Sequence, residues 1–252
     1  AEAATAIETI HVSQRGGFGR TLLMARDYDI PALGYVMRYR ELAAALDAQL
    51  DTSRLLNDSP LIDLRSSREG TAIRLASGAD TRRFAARLVV HAEGTPGNDA
   101  EITVRDYRQH AVVAEVRPAG GHAHRAWERF TPDGPLALLP LAQDYSVVFS
   151  VPPDQATQLL QIDDDGFLAA LHARFGGRVR FTAAGPRARF PLALRIRQQL
   201  TATRQVWIGN AAQSLHPVSG QGFNLGLRDA WELAQTLLAS AGEDPGDDAI
   251  LA

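Results

Sequence analysis

The chain has 252 residues, with 26 basic side chains against 29 acidic ones, a formal charge of −3 and a hydrophobic fraction of 45%. That length and apolar content suit one large domain or two interleaved ones and exclude disorder as the default state. No apolar run approaches the ~20 residues of a membrane span, residues 1–10 lack a basic-then-apolar signal pattern, and the absence of cysteine removes disulfides, thiolate metal sites and cysteine nucleophiles.

In chain order, Ile10 and Val12 alternate through a strand that leaves by the Arg15-Gly16-Gly17 turn, and Thr21 to Tyr28 should pair with it before Pro31 ends the unit. Leu42, Ala45, Leu46 and Leu50 then share one stripe of a helix over 38–50. Leu61–Leu64, Ala72–Ala76 and Arg82–Val90 read as a three-strand meander, the last member a buried strand that stops at His91-Ala92-Glu93-Gly94. Further strands are expected at 112–116, 136–141 and 145–151. A helix over 163–175 carries Phe167, Leu168 and Leu171 and is stopped by Gly176-Gly177. Residues 204–209 form a short strand, and Leu227, Ala230, Trp231, Ala234, Leu237 and Leu238 mark a last helix of about four turns. The acidic tail, 241–248, reads as a connection. With strands grouped in the middle and strand-turn-helix pieces near both ends, the order suggests two intertwined sub-domains.

Every basic residue is arginine, so one arginine alone is weak evidence for a phosphate clamp. The near-neutral balance offers no argument for nucleic acid, and none is expected as a partner.

The densest chemical signal runs from Gly209 to Asp229: GNAAQSLHPVSGQGFNLGLRD. A buried strand delivers the chain to Gly209 and the polar Asn210, and a turn shaped by Pro217, Gly220 and Gly222 opens into the last helix. Glycines let a ligand approach the backbone, and the first N–H groups of a helix are unsatisfied at its positive end. Such a turn can receive an anion. His216 is the one histidine inside this motif, and a structural role beside the ligand is expected for it. His122 and His124 are expected to be a loop pair, since no third ligand stands at metal spacing. Ser214 and Ser219 lack the G-x-S-x-G context of a nucleophile.

This segment resembles the second flavin-binding motif of the FAD-dependent aromatic hydroxylases, the p-hydroxybenzoate-hydroxylase-like flavoproteins. It is most similar to their ubiquinone-biosynthesis branch, where Gly-Asn replaces Gly-Asp and His-Pro-x-x-Gly-Gln-Gly-Phe-Asn follows. Residues 10–16, 32–34, 106–109 and 125–137 (RAWERFTPDGPLA in the last) agree with that branch. The resemblance implies a mixed α/β fold with an antiparallel-sheet substrate domain at 1–35 and 98–199. The remaining part of the FAD-binding domain would be 36–97 and 200–252.

It also implies that Asn210, Pro217, Gly220, Gln221, Gly222, Phe223 and Asn224 lie along the flavin. Glu93 and Gly94 stand where the family has Asp-Gly near the cofactor's diphosphate and ribityl region, and Arg40 matches a family arginine near FAD. The implied reaction is FAD-dependent hydroxylation of a polyprenylated phenol by O2, with NAD(P)H as reductant and no residue nameable as catalytic. A place in a ubiquinone-biosynthesis complex follows from the same resemblance, as does a cytoplasmic location with peripheral contact at the inner membrane. The alternatives are hydroxylation at another ring position, or a non-catalytic remnant that binds a prenyl lipid or a partner. The family's opening strand and G-x-G-x-x-G turn have no counterpart here; Gly16-Gly17-Phe18-Gly19 sits in a hairpin. The chain therefore reads as the middle and late part of a longer enzyme, short of about 80 residues at the front. Alone it is expected to hold FAD weakly or not at all.

Overall fold

The computed structural model describes residues 4–95, 100–216 and 220–251. The chain divides into two compact units, Ala1–Leu50 with Arg108–Leu192, and Asp51–Tyr107 with Ala193–Ala252. The sequence reading places the corresponding crossings near 36, 98 and 200. In chain order, the first segment carries β1 (Thr5–Ile7), β2 (Thr9–Gln14), β3 (Arg20–Met24), β4 (Gly34–Val36) and helix α1 (Tyr39–Asp47). The second carries β5 (Leu61–Ser66), β6 (Thr71–Ser77), β7 (Asp80–Ala86), β8 (Val89–His91) and the start of β9 (Ile102–Pro118). β10 (Arg125–Thr131), β11 (Gly134–Leu141), β12 (Asp144–Val151), α2 (Pro153–Gln161), α3 (Asp164–Phe175), β13 (Phe181–Ala184) and the first half of β14 (Ala188–Arg197) follow. The last segment holds β15 (Thr201–Ala202), β16 (Gln205–Trp207), β17 (Gln213–Ser214), α4 (Gly222–Ala239) and α5 (Asp248–Leu251).

The first unit is a sheet in the order β9-β12-β11-β10-β2-β3, antiparallel except where β2 runs parallel to β10. Because side chains alternate between faces, one face collects Val112, Leu136, Leu138, Val147, Phe149 and Val151. Phe167, Leu171 and Phe175 of α3 close over it, and every one of these side chains is buried. The Asp163 carboxylate caps α3, accepting from the Gly166 N–H at 2.8 Å. Asp163→Ala should therefore cost about 1 kcal/mol, read as a fall in the urea midpoint.

The second unit contains an antiparallel β5-β6-β7 sheet and the small sheet β15-β16-β8. The sequence reading of 82–90 as one buried strand is corrected here. β7 ends at Ala86 in the meander, and β8 starts at Val89 as the parallel neighbour of β16, with Val90 41% exposed. The break at Arg87-Leu88 is held by Arg204. Its guanidinium donates to the carbonyls of Ser67, Arg68 and Arg87, and its carbonyl accepts from the Val89 N–H at 2.9 Å.

The tail is also more than a connection. Asp244 makes a two-pronged pair with the buried Arg204, at 2.9 and 2.7 Å, and that bond holds the Asp244 carboxyl well below the usual carboxylate range. A Cβ on Gly246 would stand 2.0 Å from the Arg87 carbonyl oxygen, so only glycine lets the tail lie this close. The stripes expected on α1 and α4 do form helices, yet neither helix has a buried residue, and Leu46, Leu227, Trp231 and Leu238 are exposed.

Candidate flavin site

β8 and β16 run parallel and in register, His91 opposite Trp207, with their rings stacked at 4.5 Å and 5°. The Ile208 N–H donates to the His91 carbonyl at 3.0 Å, and His91 Nε2 meets Gln205 Oε1 at 3.0 Å. Both strands thus release the chain at the same end. Glu93-Gly94 emerges two positions after β8, and Gly209-Asn210 two positions after β16. The carboxyl ends of adjacent parallel strands are where α/β sheets bind ligands, because the turns there diverge and leave a crevice. Glu93 and Asn210 are both exposed at that end, and Glu93 Oε1 lies 3.7 Å from His91 Nδ1. Gly94 has φ +93°, a left-handed turn that costs glycine nothing.

After β16 the chain makes a 3-10 turn over Gly209–Ala211, with Gly209 at φ +59°. Asp229, from the second turn of α4, pins this turn by accepting from the Gly209 N–H at 2.9 Å. The turn and the helix touch backbone to backbone: a Cβ on Gly226 would lie 3.3 Å from the Gly209 Cα. The motif therefore works as a folded clip. Asp229 and Gly226 set the position of Asn210, a role the sequence reading missed. Its one signal was an acid at the far end of the same glycine-rich block.

α4 begins at Gly222 with Gln221 as its cap residue, and the Gln221 side chain makes no capping bond to the first-turn N–H groups. The donors of Gly222, Phe223 and Asn224 thus stand at an uncapped, positively polarised helix start. Gly220, at φ +62°, and Gly222 both face open space, with no atom within 4 Å of where a Cβ would be. Unoccupied donors beside glycines with an open side fit the carbonyl and phosphate oxygens of a flavin dinucleotide. Pro217 and Ser219 lie outside the described residues.

His216 packs edge-on to Tyr107 at 4.9 Å, and burial lowers its pKa, so it is neutral at pH 7. Arg197 stacks over Trp207 at 4.6 Å. His122 and His124 are taken up by loop contacts, His122 Nε2 to the Ala142 carbonyl at 2.7 Å and His124 Nδ1 to the Ala6 carbonyl at 3.1 Å.

Arg40 belongs to the other unit. It is exposed on the first turn of α1 and lines a cavity of about 670 Å³ with Arg38, Glu115, Arg117 and Asp144. Arg38 is bidentate to Glu115 and Arg117 pairs with Asp144, which leaves three cations facing two carboxylates.

A family model described as FAD binding domain matches residues 64–252. The chain is 34% identical over 232 residues to "Ubiquinone hydroxylase UbiL" of Rhodospirillum rubrum, covering 87% of this chain and 53% of that protein. It is 28% identical over 223 residues to "3-demethoxyubiquinol 3-hydroxylase" of Escherichia coli, covering 85% of this chain and 56% of that one. The chain thus spans about half the length of these curated relatives. Among solved structures, the flavin-dependent halogenase CmlS superposes with a TM-score of 0.74 at 14% identity, over 99% of this chain and 49% of that one. At that identity the match shows the fold alone.

Proposed function

We propose, since this chain belongs to the FAD binding domain family, that it is the flavin- and substrate-binding portion of a monooxygenase hydroxylating a polyprenylated phenol in ubiquinone biosynthesis. The observation that carries the reading is the meeting of Glu93-Gly94 and Gly209-Asn210 at one end of paired parallel strands, followed by an uncapped helix start. The relatives' printed names supply the ubiquinone pathway and the hydroxylation.

When bound, FAD would supply hydride acceptance from NAD(P)H and activation of O2 for transfer of one oxygen atom to the ring. The chain's own residues hold and shape. Asn210 and Glu93 bind polar groups at the strand ends, and Gly94 turns the backbone away to admit them. The N–H groups of Gly222, Phe223 and Asn224, with Gly220 and Gln221 before them, donate to negative charge on the cofactor. Pro217 belongs to this reading on its sequence position. Arg40 keeps its place in this reading on its sequence position, and the cavity of positive balance around it suits an anionic group. The second unit is then the cofactor-binding part and the first the substrate sheet. Among the described residues no helix is long and apolar enough to cross a membrane. A substrate with a polyprenyl chain would bring the enzyme to the inner membrane face from outside, and assembly with neighbouring pathway enzymes belongs to the same reading.

The test, on the longer enzyme of which this chain is the proposed portion, is FAD titration followed by product analysis on a geranyl-substituted methoxyphenol, which also reads the ring position. Asn210→Ala is expected to weaken FAD about tenfold, the worth of one hydrogen bond to the cofactor. Binding of the prenylated phenol with no flavin-dependent oxidation of NAD(P)H would overturn the reading in favour of a lipid-binding protein.

A further inference from the structure

The sheet of the first unit has a second face, opposite the one covered by α3. Its registers place Thr21, Val12, Glu128, Ala137, Val148 and Val113 in one row across β3, β2, β10, β11, β12 and β9. Glu128 is the single ionisable side chain in that row. On β10 the alternation sends both neighbouring arginines to the other face, where Arg125 lies over the Trp127 ring and Arg129 donates to Ser13 Oγ and the Arg174 carbonyl. In the adjacent rows stand Ser146, Ser150 and one acid, Glu115, which Arg38 already holds at 3.0 and 2.6 Å. The β1–β4 ribbon carries one titratable group, Tyr35, and it is exposed.

Among the described residues, no cation pairs with Glu128. Its Oε1 is closed off from solvent and makes no hydrogen bond, and Ser150 Oγ, one row away on the same face, is buried and equally unsatisfied. Buried polar atoms are almost always paired, so two orphans on one apolar face mark a place for a ligand with a hydroxyl group. Burial alone pushes the Glu128 carboxyl up to about 7, which suits a group that takes and returns a proton near neutral pH.

We propose that Glu128 is the proton acceptor for the phenol hydroxyl of a substrate lying on this face. The phenolic O–H bond breaks, its electron pair stays on the phenolate oxygen, and the proton passes to the carboxylate, leaving a neutral carboxylic acid. After oxygen transfer the acid returns the proton to the product's oxygen. The ring gains electron density at the moment it is to be attacked, and no oxidant beyond that of the hydroxylation is needed. This assignment rests on the reading of the first unit as the substrate sheet.

The probe is geranyl-substituted 2-methoxyphenol, whose phenolate absorbs in the near ultraviolet apart from the phenol. With the wild-type protein at pH 8, the bound probe's hydroxyl should donate a hydrogen bond to the carboxylate, seen as a shift of its near-ultraviolet band to longer wavelength than in solution. A carboxyl at about 7 takes the proton of a phenol at about 10 only as the ring is attacked. Glu128→Gln should bind the probe more weakly and lose that shift; Glu128→Asp should restore part of it. Infrared difference spectra of the unliganded wild type should show a protonated carboxyl titrating near neutral pH that Glu128→Gln lacks. Equal band positions for the probe in Glu128→Gln and wild type would overturn the assignment, as would a carboxyl band that does not titrate there. A probe bound with its band unshifted in wild type refutes the proton acceptor and leaves the substrate reading intact. A probe that does not bind refutes the substrate reading and takes this assignment with it.

Discussion

In the whole enzyme of which this chain is the proposed portion, Gly226→Val should weaken FAD binding roughly a hundredfold while leaving the first unit folded. A valine here places two methyl groups beyond a Cβ that already stands 3.3 Å from the Gly209 Cα. The turn must move away from the helix, and the Asp229 bond to the Gly209 N–H, 2.9 Å long, must stretch with it. Overpacking of this kind costs up to about 3 kcal/mol, and each 1.4 kcal/mol that reaches the site is a factor of ten in affinity. Helix propensity runs the other way, since a mid-helix glycine is about 1 kcal/mol worse than alanine. A glycine in α4 therefore shows that close approach matters more than helix strength. Gly226→Ala, which asks the turn to give by a few tenths of an ångström, should lose less than about fivefold. The check is FAD affinity by fluorescence titration, with circular dichroism to confirm folding. A valine variant that binds as wild type does would show that Asn210 takes its position from elsewhere.

The same clip shows what the sequence exposes and what it hides. Gly209, Asn210, Gly220 and Gly222 were legible because glycine and a helix start carry their own chemistry wherever they stand. The Asp229 anchor was not, because an acid on a helix reads as solvated surface until the turn that folds back on it is seen. The meander, the strands over 136–141 and 145–151 and the capped helix at 164–175 were readable from period and turn residues.

β10 was quoted as a motif and not as a strand, since Arg125, Glu128 and Arg129 mask its alternation; in the sheet those charges part to opposite faces. The short helix α2 and strands β13 and β14 went unassigned for want of a clear period. The break between β7 and β8 was invisible for another reason: Arg204, far along the chain, makes it. Long-range hydrogen bonds to backbone carbonyls leave no local pattern. Glu128 was likewise hidden, because its peculiarity is the absence of a cation around it, which only the strand registers reveal.

Glu128→Gln should also make the protein more stable at pH 8 and leave it unchanged at pH 4. Folding raises the carboxyl from an ordinary 4.5 to about 7, so the folded state binds this proton more tightly than the unfolded one. The wild type has the full benefit of the neutral acid below pH 4.5, loses it as pH rises through 7, and gains nothing back above. A shift of this size corresponds to at most about 3.4 kcal/mol, and partial contact with water reduces that to about 2–3 kcal/mol. Glutamine carries no charge at either pH, so the difference between the two proteins should open between pH 4.5 and 7 and then stay level. Urea unfolding at pH 4, 6 and 8 reads it. A difference that does not change with pH would mean that the carboxyl is solvated or paired in the folded protein. A carboxylate that weakens the fold at working pH, with no cation to hold it, is the kind of strain that function retains and packing alone does not.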